Sequence, residues 1–242
     1  MNDKVKGGLL IFFMSVTFYM MLTTKYTHAL GDYMLEFIGL KSWTGDYSGI
    51  HLTVIYFGVL FILSLFLVEK YAIKRFNIRG RSVFFISVVL MIVFSSITGV
   101  TVKHVKSNSA GLLSIGYNSS DSSINYRSED NKLVEFTAKF KLTNYSNEKK
   151  TFYLCINNPF DREKRIEEIS FYTFDGKRAI FQLEGNETKS FSLSLDRYDV
   201  VGGRELQNVS GRGVVQEIVL TDDKSNKVRL DSKNFFGVEI SR

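Results

Sequence analysis

Cysteine is almost absent from this chain. Cys155 is the only one among 242 residues, so no disulfide bond can form within a single chain. A folded domain built from this sequence must therefore be held together by its hydrophobic core alone, and the length is sufficient for such a core. The composition argues against a small secreted module stapled by disulfides.

Histidine is also scarce, and residues 132–242 contain none. Ser-His-Asp and Cys-His catalytic arrangements are thereby excluded from that part of the chain. The glycine-rich stretch 202–213 lacks the Gly-Lys-Ser/Thr of a phosphate-binding loop and the context of a dinucleotide site. We expect no catalytic residues and no cofactor, and an envelope enzyme is the least favoured class.

Charged residues are missing from three long apolar runs, at residues 7–24, 50–68 and 82–100. Each run is close to the ~20 residues that a helix needs to cross the hydrocarbon core of a bilayer. The sequence therefore predicts three transmembrane helices within residues 1–102. A cleaved signal peptide is the alternative for the first run, which lacks a small-x-small cleavage signal.

Positive charge is concentrated between the second and third runs. Residues 69–81 hold five basic residues, whereas the longer segment after the first run has only Lys25 and Lys41. The positive-inside rule places the basic segment in the cytoplasm, together with the N-terminus. Everything after the third run is then extracytoplasmic. A composition without disulfides fits a bacterial cell membrane better than a eukaryotic one.

Four Asn-x-Ser/Thr sequences leave a glycosylated eukaryotic ectodomain as the alternative. They begin at Asn118, Asn144, Asn186 and Asn208. Asparagine and serine are common in this chain, so we favour chance occurrence.

The three histidines, His28, His51 and His104, fall at the predicted outer ends of the three helices. Imidazole is a ligand for zinc, copper and haem iron, so these are the candidate metal-binding residues. They lack the close spacing of established metal motifs. We therefore expect no metal site and interpret them as separate imidazoles near the membrane surface.

The predicted outer loop, residues 25–49, contains an amphipathic segment. Leu30, Met34, Phe37 and Ile38 have helical spacing, with Asp32 elsewhere on the turn. Such a helix can lie flat in the membrane interface. The interpretation that we favour is a plug that closes the helical bundle.

The sequence of the remaining chain predicts a stalk followed by a β domain. Residues 103–131 are rich in Ser, Asn and Asp, which favours a tether with at most one strand. From residue 132 onward, apolar and polar residues alternate in seven or eight segments separated by turn signals. This pattern predicts an antiparallel sandwich over residues 132–242, and residues 128–242 are expected to fold alone.

The run FTAKFKLTNYSNEKKTFYL, followed by SFYTFDGKRAIFQLEGNETKSFSLSL, resembles bacterial immunoglobulin-like surface domains. In those domains a strand ends in an Asn-containing turn, and a later Gly-containing turn introduces a strand of alternating apolar residues. The resemblance covers about residues 132–195. It implies an immunoglobulin-like sandwich and a surface role, with no activity attached.

Two arginines mark a possible contact for an anionic partner. Arg204 and Arg212 lie in the glycine-rich stretch, predicted as a long flexible loop, and could meet a wall polymer or a lipid headgroup. Most of the net charge of +6 belongs to the membrane part, so a nucleic-acid partner is not expected.

These features predict a non-enzymatic membrane-anchored protein that presents its β domain for protein interaction or envelope maintenance. Its expected partners are the lipid bilayer and another membrane or envelope protein. The alternative is an accessory or assembly subunit of a larger membrane complex.

Overall fold

The computed structural model of the protein describes residues 3–24, 26, 28–45, 49–75, 77–130, 132–157, 168–202, 208–231 and 235–240. The chain divides into two compact units, Met1–Thr101 and Val102–Arg242. The first unit is helical, and the second consists mainly of antiparallel strands.

Four α-helices are described, and all begin in the first unit. They are α1 Asp3–Tyr19, α2 Leu30–Phe37, α3 Leu52–Leu67 and α4 Gly80–Ser107. Helix α3 continues as a π-helix over Val68–Arg75. A small core beneath α1 and this π-helix includes Ile11, Val68 and Ala72.

Among the described residues, two helical stretches are long and apolar enough to cross a membrane: α3 with its π-helical continuation, Leu52–Arg75, and α4. Only 6% of the apolar part of α4 is buried. Helix α1 has 17 residues, or about 25 Å at 1.5 Å per residue. It is shorter than the ~30 Å hydrocarbon core.

Helix α2 differs from the plug that we favoured for the outer loop. Its buried residues are Gly31, Asp32 and Leu35. Met34 is 51% exposed and Phe37 is 90% exposed. Leu35 thus packs inward together with a glycine and a carboxylate, whereas Met34 and Phe37 lie on the outer face.

The second unit contains two antiparallel sheets. Its described strands are β1 Ile115–Tyr117, β2 Ser123–Glu129, β3 Lys132–Asn144, β4 Lys150–Asn157, β5 Ile169–Tyr172, β6 Phe181–Leu183, β7 Thr188–Ser194, β8 Asp199–Gly202, β9 Val209–Gly213, β10 Glu217–Thr221, β11 Lys227–Asp231 and β12 Val238–Ile240. One sheet has the order β1-β3-β2-β9, and β7 also pairs with β3. The other has the order β12-β11-β10-β4-β5-β8, and β6 also pairs with β4.

The inward-facing side chains of both sheets form one hydrophobic core. The alternation predicted for β3 is confirmed at four positions, since Phe136, Ala138, Phe140 and Leu142 are buried. Val134 continues the same alternation in the sequence, but it is 44% exposed. The pairing of β2 with β3 shifts by one residue at this point, and such a bulge reverses the direction of the side chain.

The predicted stalk is part of the β domain. Strand β2 lies between β3 and β9, and its inward residues Ile124, Tyr126 and Ser128 are buried. The Ser- and Asn-rich composition concealed this strand because its outward positions and the turns around it are polar. A fragment beginning at residue 128 would therefore lack β1 and most of β2.

Candidate functional site

The most distinctive polar arrangement of the first unit is centred on Asp32, which is 1% exposed. The residue lies in the first turn of α2, where a negative charge interacts favourably with the helix dipole. Its neighbour Gly31 allows close packing: a Cβ atom there would lie 2.6 Å from both the Met20 carbonyl oxygen and Thr53 Cγ2. The glycine thus lets the start of α2 approach the start of α3.

Three side chains direct polar groups at the Asp32 carboxylate. His51 Nε2 lies 2.7 Å from Oδ1, and the Thr53 hydroxyl donates to the same oxygen. The Trp43 indole N–H donates to Oδ2 over 3.4 Å. An ionised carboxylate only accepts hydrogen bonds, so this geometry assigns a proton to His51 Nε2.

His51 is fixed on its other side by Trp43. The two rings are stacked with centroids 4.1 Å apart and planes 10° apart, and the two residues form an antiparallel backbone bridge. His51 immediately precedes α3, and Thr53 lies in its first turn. We call Asp32, Trp43, His51 and Thr53 the Asp32 latch, because together they fasten α2 to the beginning of α3.

The latch is better suited to holding structure than to chemistry. A metal ion requires several ligands, and within the described residues no three His, Cys, Asp or Glu side chains are grouped to hold one. A cavity of about 510 Å³ lies beside it, lined by residues 36 and 39–45. Trp43, Glu36 and Ser42 contribute to this lining. The Ser42 hydroxyl donates a hydrogen bond to the Glu36 carboxylate.

The structure places the three candidate histidines in different surroundings. His51 belongs to the latch, and His28 is partly buried in the first unit. His104 is exposed in the last turn of α4, where the Asn108 amide nitrogen lies 3.4 Å from its Nε2. Asp32 was not predicted as a partner of His51, because the sequence showed it only as one of two carboxylates, with Glu36, on an amphipathic helix.

The second unit contains a buried cation that the sequence analysis also missed. Lys106 is fully buried near the end of α4. Its ammonium group donates to the carbonyl oxygens of Leu113 and Ile115, each over 2.8 Å, and of Phe236 over 3.0 Å. It also lies 5.3 Å from the centroid of the Phe235 ring.

Lys106 lies beyond the uncharged run of α4. The helix has 28 residues and is about 42 Å long, whereas its uncharged run ends at residue 100. Burial lowers the pKa of Lys106 to about 7. Because every hydrogen bond above goes to a backbone carbonyl, the side chain serves to tie the end of α4 to the β domain.

Cys155 is not an activated nucleophile. Its thiol is buried, and burial raises its pKa, with the Glu168 side chain acting in the same direction. The nearby Arg178 guanidinium donates to the sulfur over 3.3 Å and stacks on the Tyr153 ring. A thiol with a raised pKa has little thiolate at neutral pH, so this residue has a packing role.

The candidate loop for an anionic partner is only partly a loop. Arg204 lies outside the described residues. Arg212 is exposed in strand β9 and pairs with Asn125 of β2. A Cβ atom at the neighbouring Gly211 would lie 2.6 Å from the Tyr126 ring. This glycine therefore makes room for a core tyrosine, which is a packing requirement that the sequence analysis read as loop flexibility.

The Asp32 latch and Lys106 are thus buried polar centres of the described residues. Both fasten one segment of the chain to another. Searches against protein-family models, characterised proteins and solved structures found no significant match.

Proposed function

We propose that this protein is a non-enzymatic membrane protein in which three transmembrane helices carry an immunoglobulin-like domain at the outer surface of a bacterial cell. The domain would serve protein interaction or envelope maintenance. The observation that carries the proposal is α4, a 28-residue helix of which only 6% of the apolar part is buried.

The exposed side chains of α4 require an apolar environment. Phe84 and Phe85 are about two-thirds exposed, and Ile92, Ile97 and Val100 are more than half exposed. Soluble proteins rarely leave a continuous apolar surface of this extent in water. A lipid bilayer accommodates it, and the helix is long enough to span one.

The proposed orientation rests on the basic segment that follows α3. Lys70, Lys74 and Arg75 lie on its π-helical continuation, and Arg79 and Arg81 flank the start of α4. The positive-inside rule puts this segment in the cytoplasm, and the second unit outside. Two antiparallel sheets that share one core support an immunoglobulin-like sandwich as the fold of that unit.

Partner identification tests the proposal. The full chain would be crosslinked to its neighbours in membranes, and a fragment spanning residues 102–242 would be added to the same membranes and crosslinked. The proteins bound to each would then be identified. Retention of the same partner by the fragment is expected if the outer domain is the interacting part. Partners that need residues 1–101 would contradict it and favour the alternative below.

The second candidate is an accessory subunit of a larger membrane complex. A groove of about 510 Å³ runs along α4, lined by the hydroxyl-bearing Tyr19, Tyr26, Ser95 and Thr98 together with Met91. Hydroxyl groups and small residues favour helix packing in membranes. A photo-crosslinking residue at position 95, with position 89 as the control, would capture a partner helix if this alternative holds.

A further inference from the structure

Helix α2 presents two chemically different sides, and the latch decides which one faces the protein. Gly31, Asp32 and Leu35 are buried. On the outer side, Met34 is 51% exposed and Phe37 is 90% exposed. Ile38, directly after the helix, is 57% exposed. This eight-residue helix therefore leaves Phe37 on its outer side, in spite of the large apolar surface of that side chain.

The position of α2 along α3 indicates what covers this exterior side. The Asp32 carboxylate binds His51, the residue before α3, and Thr53, in its first turn. Helix α3 is apolar from Leu52 onward. If α3 spans a bilayer, its first residues lie at the boundary between headgroups and acyl chains. A helix fastened there lies at the same depth.

We infer that the outer side of α2, formed by Met34, Phe37 and Ile38, inserts into the outer leaflet at this boundary. The Asp32 latch holds the helix in that orientation. The occupant of this surface is thus the lipid bilayer rather than another protein. The inference rests on the proposed membrane location and adds a second, interfacial contact to the transmembrane one.

The balance of polar and apolar groups supports this placement. The carboxylate of Asp32 is turned away from the outer side and accepts hydrogen bonds from the three donors of the latch, so this carboxylate stays out of the lipid. Phe37, which is 90% exposed, would transfer a large apolar surface to the acyl region, and such a transfer is favourable. A short interfacial helix of this kind fixes the depth and tilt of the span beside it.

Site-directed spin labelling of the full chain tests the inference. Cys155 is the only cysteine, so a Cys155→Ser background accepts single labels. Nitroxides would be attached at Met34→Cys and Phe37→Cys, with the exposed Lys41→Cys of the same loop as the control. The proteins would be reconstituted in liposomes of phosphatidylcholine and phosphatidylglycerol. Collisions with oxygen, which concentrates in lipid, are compared with collisions with a water-soluble nickel chelate.

We expect labels at positions 34 and 37 to collide mainly with oxygen, and the label at position 41 to collide mainly with nickel, with a several-fold difference in the ratio. Nickel-dominated collisions at position 37 would overturn the inference. Low collision rates with both reagents would also overturn it, because they would show that protein covers the helix.

The latch is tested with the same label at position 37. Asp32→Asn removes the carboxylate, and Thr53→Val removes one hydrogen-bond donor with little change in shape. If the Asp32→Asn protein does not accumulate, the Thr53→Val protein provides the test. A several-fold loss of oxygen preference is expected in either variant. An unchanged ratio would show that the latch does not orient α2.

Failure of the membrane proposal itself is distinguishable. Release of the chain from liposomes by alkaline carbonate would overturn both the transmembrane location and the inference. Retention of the chain together with a water-exposed label at position 37 would overturn the inference alone.

Discussion

Phe140 is central to the core of the β domain. It is 2% exposed, stacks on Phe191 at 5.7 Å and meets Tyr117 edge to face at 6.3 Å. Phe140→Ala should lower the free energy of unfolding by roughly 3–5 kcal/mol, because apolar transfer energy is lost and a cavity remains. Urea unfolding of a fragment spanning residues 102–242 measures this change.

Lys139 supplies the matched control, because it is the exposed neighbour on the opposite face of β3. Lys139→Ala should change stability by less than about 0.5 kcal/mol. Equal losses for the two variants would contradict the observed strand orientation.

Asn144 organises the turn after β3 and is fully buried. Its amide nitrogen donates to the carbonyls of Glu148 and Glu184, over 2.7 and 3.0 Å, and its oxygen accepts from the Ser146 backbone and hydroxyl. Asn144→Ala leaves these groups unsatisfied and should cost roughly 2–4 kcal/mol. Thermal or urea unfolding would be compared with Asn125→Ala, which removes an exposed amide.

The same contacts bear on glycosylation. Asn144 begins one of the four sequons, but its nitrogen is buried and both of its hydrogens are used. A glycan attached there is incompatible with this fold. A modified Asn144 in folded protein, or equal effects of the two alanine variants, would contradict the turn geometry.

At the scale of elements, the end of α4 is sensitive to pH through Lys106. Burial lowers the pKa of its ammonium group from 10.5 to about 7 in the folded protein. Between these two pH values the unfolded chain keeps the proton and the folded chain has lost it. Stability should therefore rise with pH in this window, by up to about 1.4 kcal/mol per pH unit, and should not vary from this cause below pH 7.

Lys106→Met isolates this contribution, because the other titrating groups are common to both proteins. Urea unfolding at several pH values between 7 and 10 gives the difference in stability between wild type and variant. We expect the wild type to gain relative to the variant as the pH rises. Parallel pH profiles would show that the pKa of Lys106 is not lowered.

The boundary of the β domain gives another prediction at this scale. Residues 102–242 should fold cooperatively, whereas residues 128–242 should not, because the shorter fragment loses β1 and most of β2 and uncovers one edge of β3. Circular dichroism, solubility and urea unfolding of the two fragments provide the test. An equal unfolding midpoint for both would mean that β1 and β2 add nothing to the core.

Regular alternation was the part of the fold that could be read from the sequence. It identified β3, β4 and β7 with the correct inward faces, because one buried and one solvated face leave a period of two. It did not reveal β2, whose outward positions include Ser123, Asn125 and Arg127. It also did not reveal β1, which has only three residues and is separated from β2 by the 3₁₀ turn Ser119–Asp121. The bulge at Val134 likewise depends on pairing between strands, which a single strand does not encode.

The Asp32 latch and the contacts of Lys106 could not be predicted from the sequence, for a related reason. Asp32 and His51 are 19 positions apart, and Lys106 reaches a carbonyl 130 positions away. Their roles depend on which segments meet in space. Composition and periodicity describe each segment alone, so they indicate the apolar helices well and the contacts between segments poorly.

At the scale of the whole molecule, the charge distribution and the two units support one arrangement. The basic residues cluster around the junction of the two long apolar helices, and α4 leads from the first unit into the second. An apolar helix that connects a basic segment to a β domain with only a small net charge is the pattern of a membrane anchor with an extracytoplasmic domain. As the proposed third span, the short α1 would require local thinning of the bilayer to match its length.

Reporter fusions test this arrangement directly. A fusion after Arg75 should be active only as a cytoplasmic reporter, and a fusion after Lys106 only as an external one, because basic residues within 15–20 positions of the spans determine orientation. Replacing Lys70, Lys74, Arg75, Arg79 and Arg81 by glutamine should reduce this preference, and replacing the same number of lysines in residues 132–242 should not. An external reporter after Arg75 would invert the proposed topology, and it would place the β domain and the outer side of α2 in the cytoplasm.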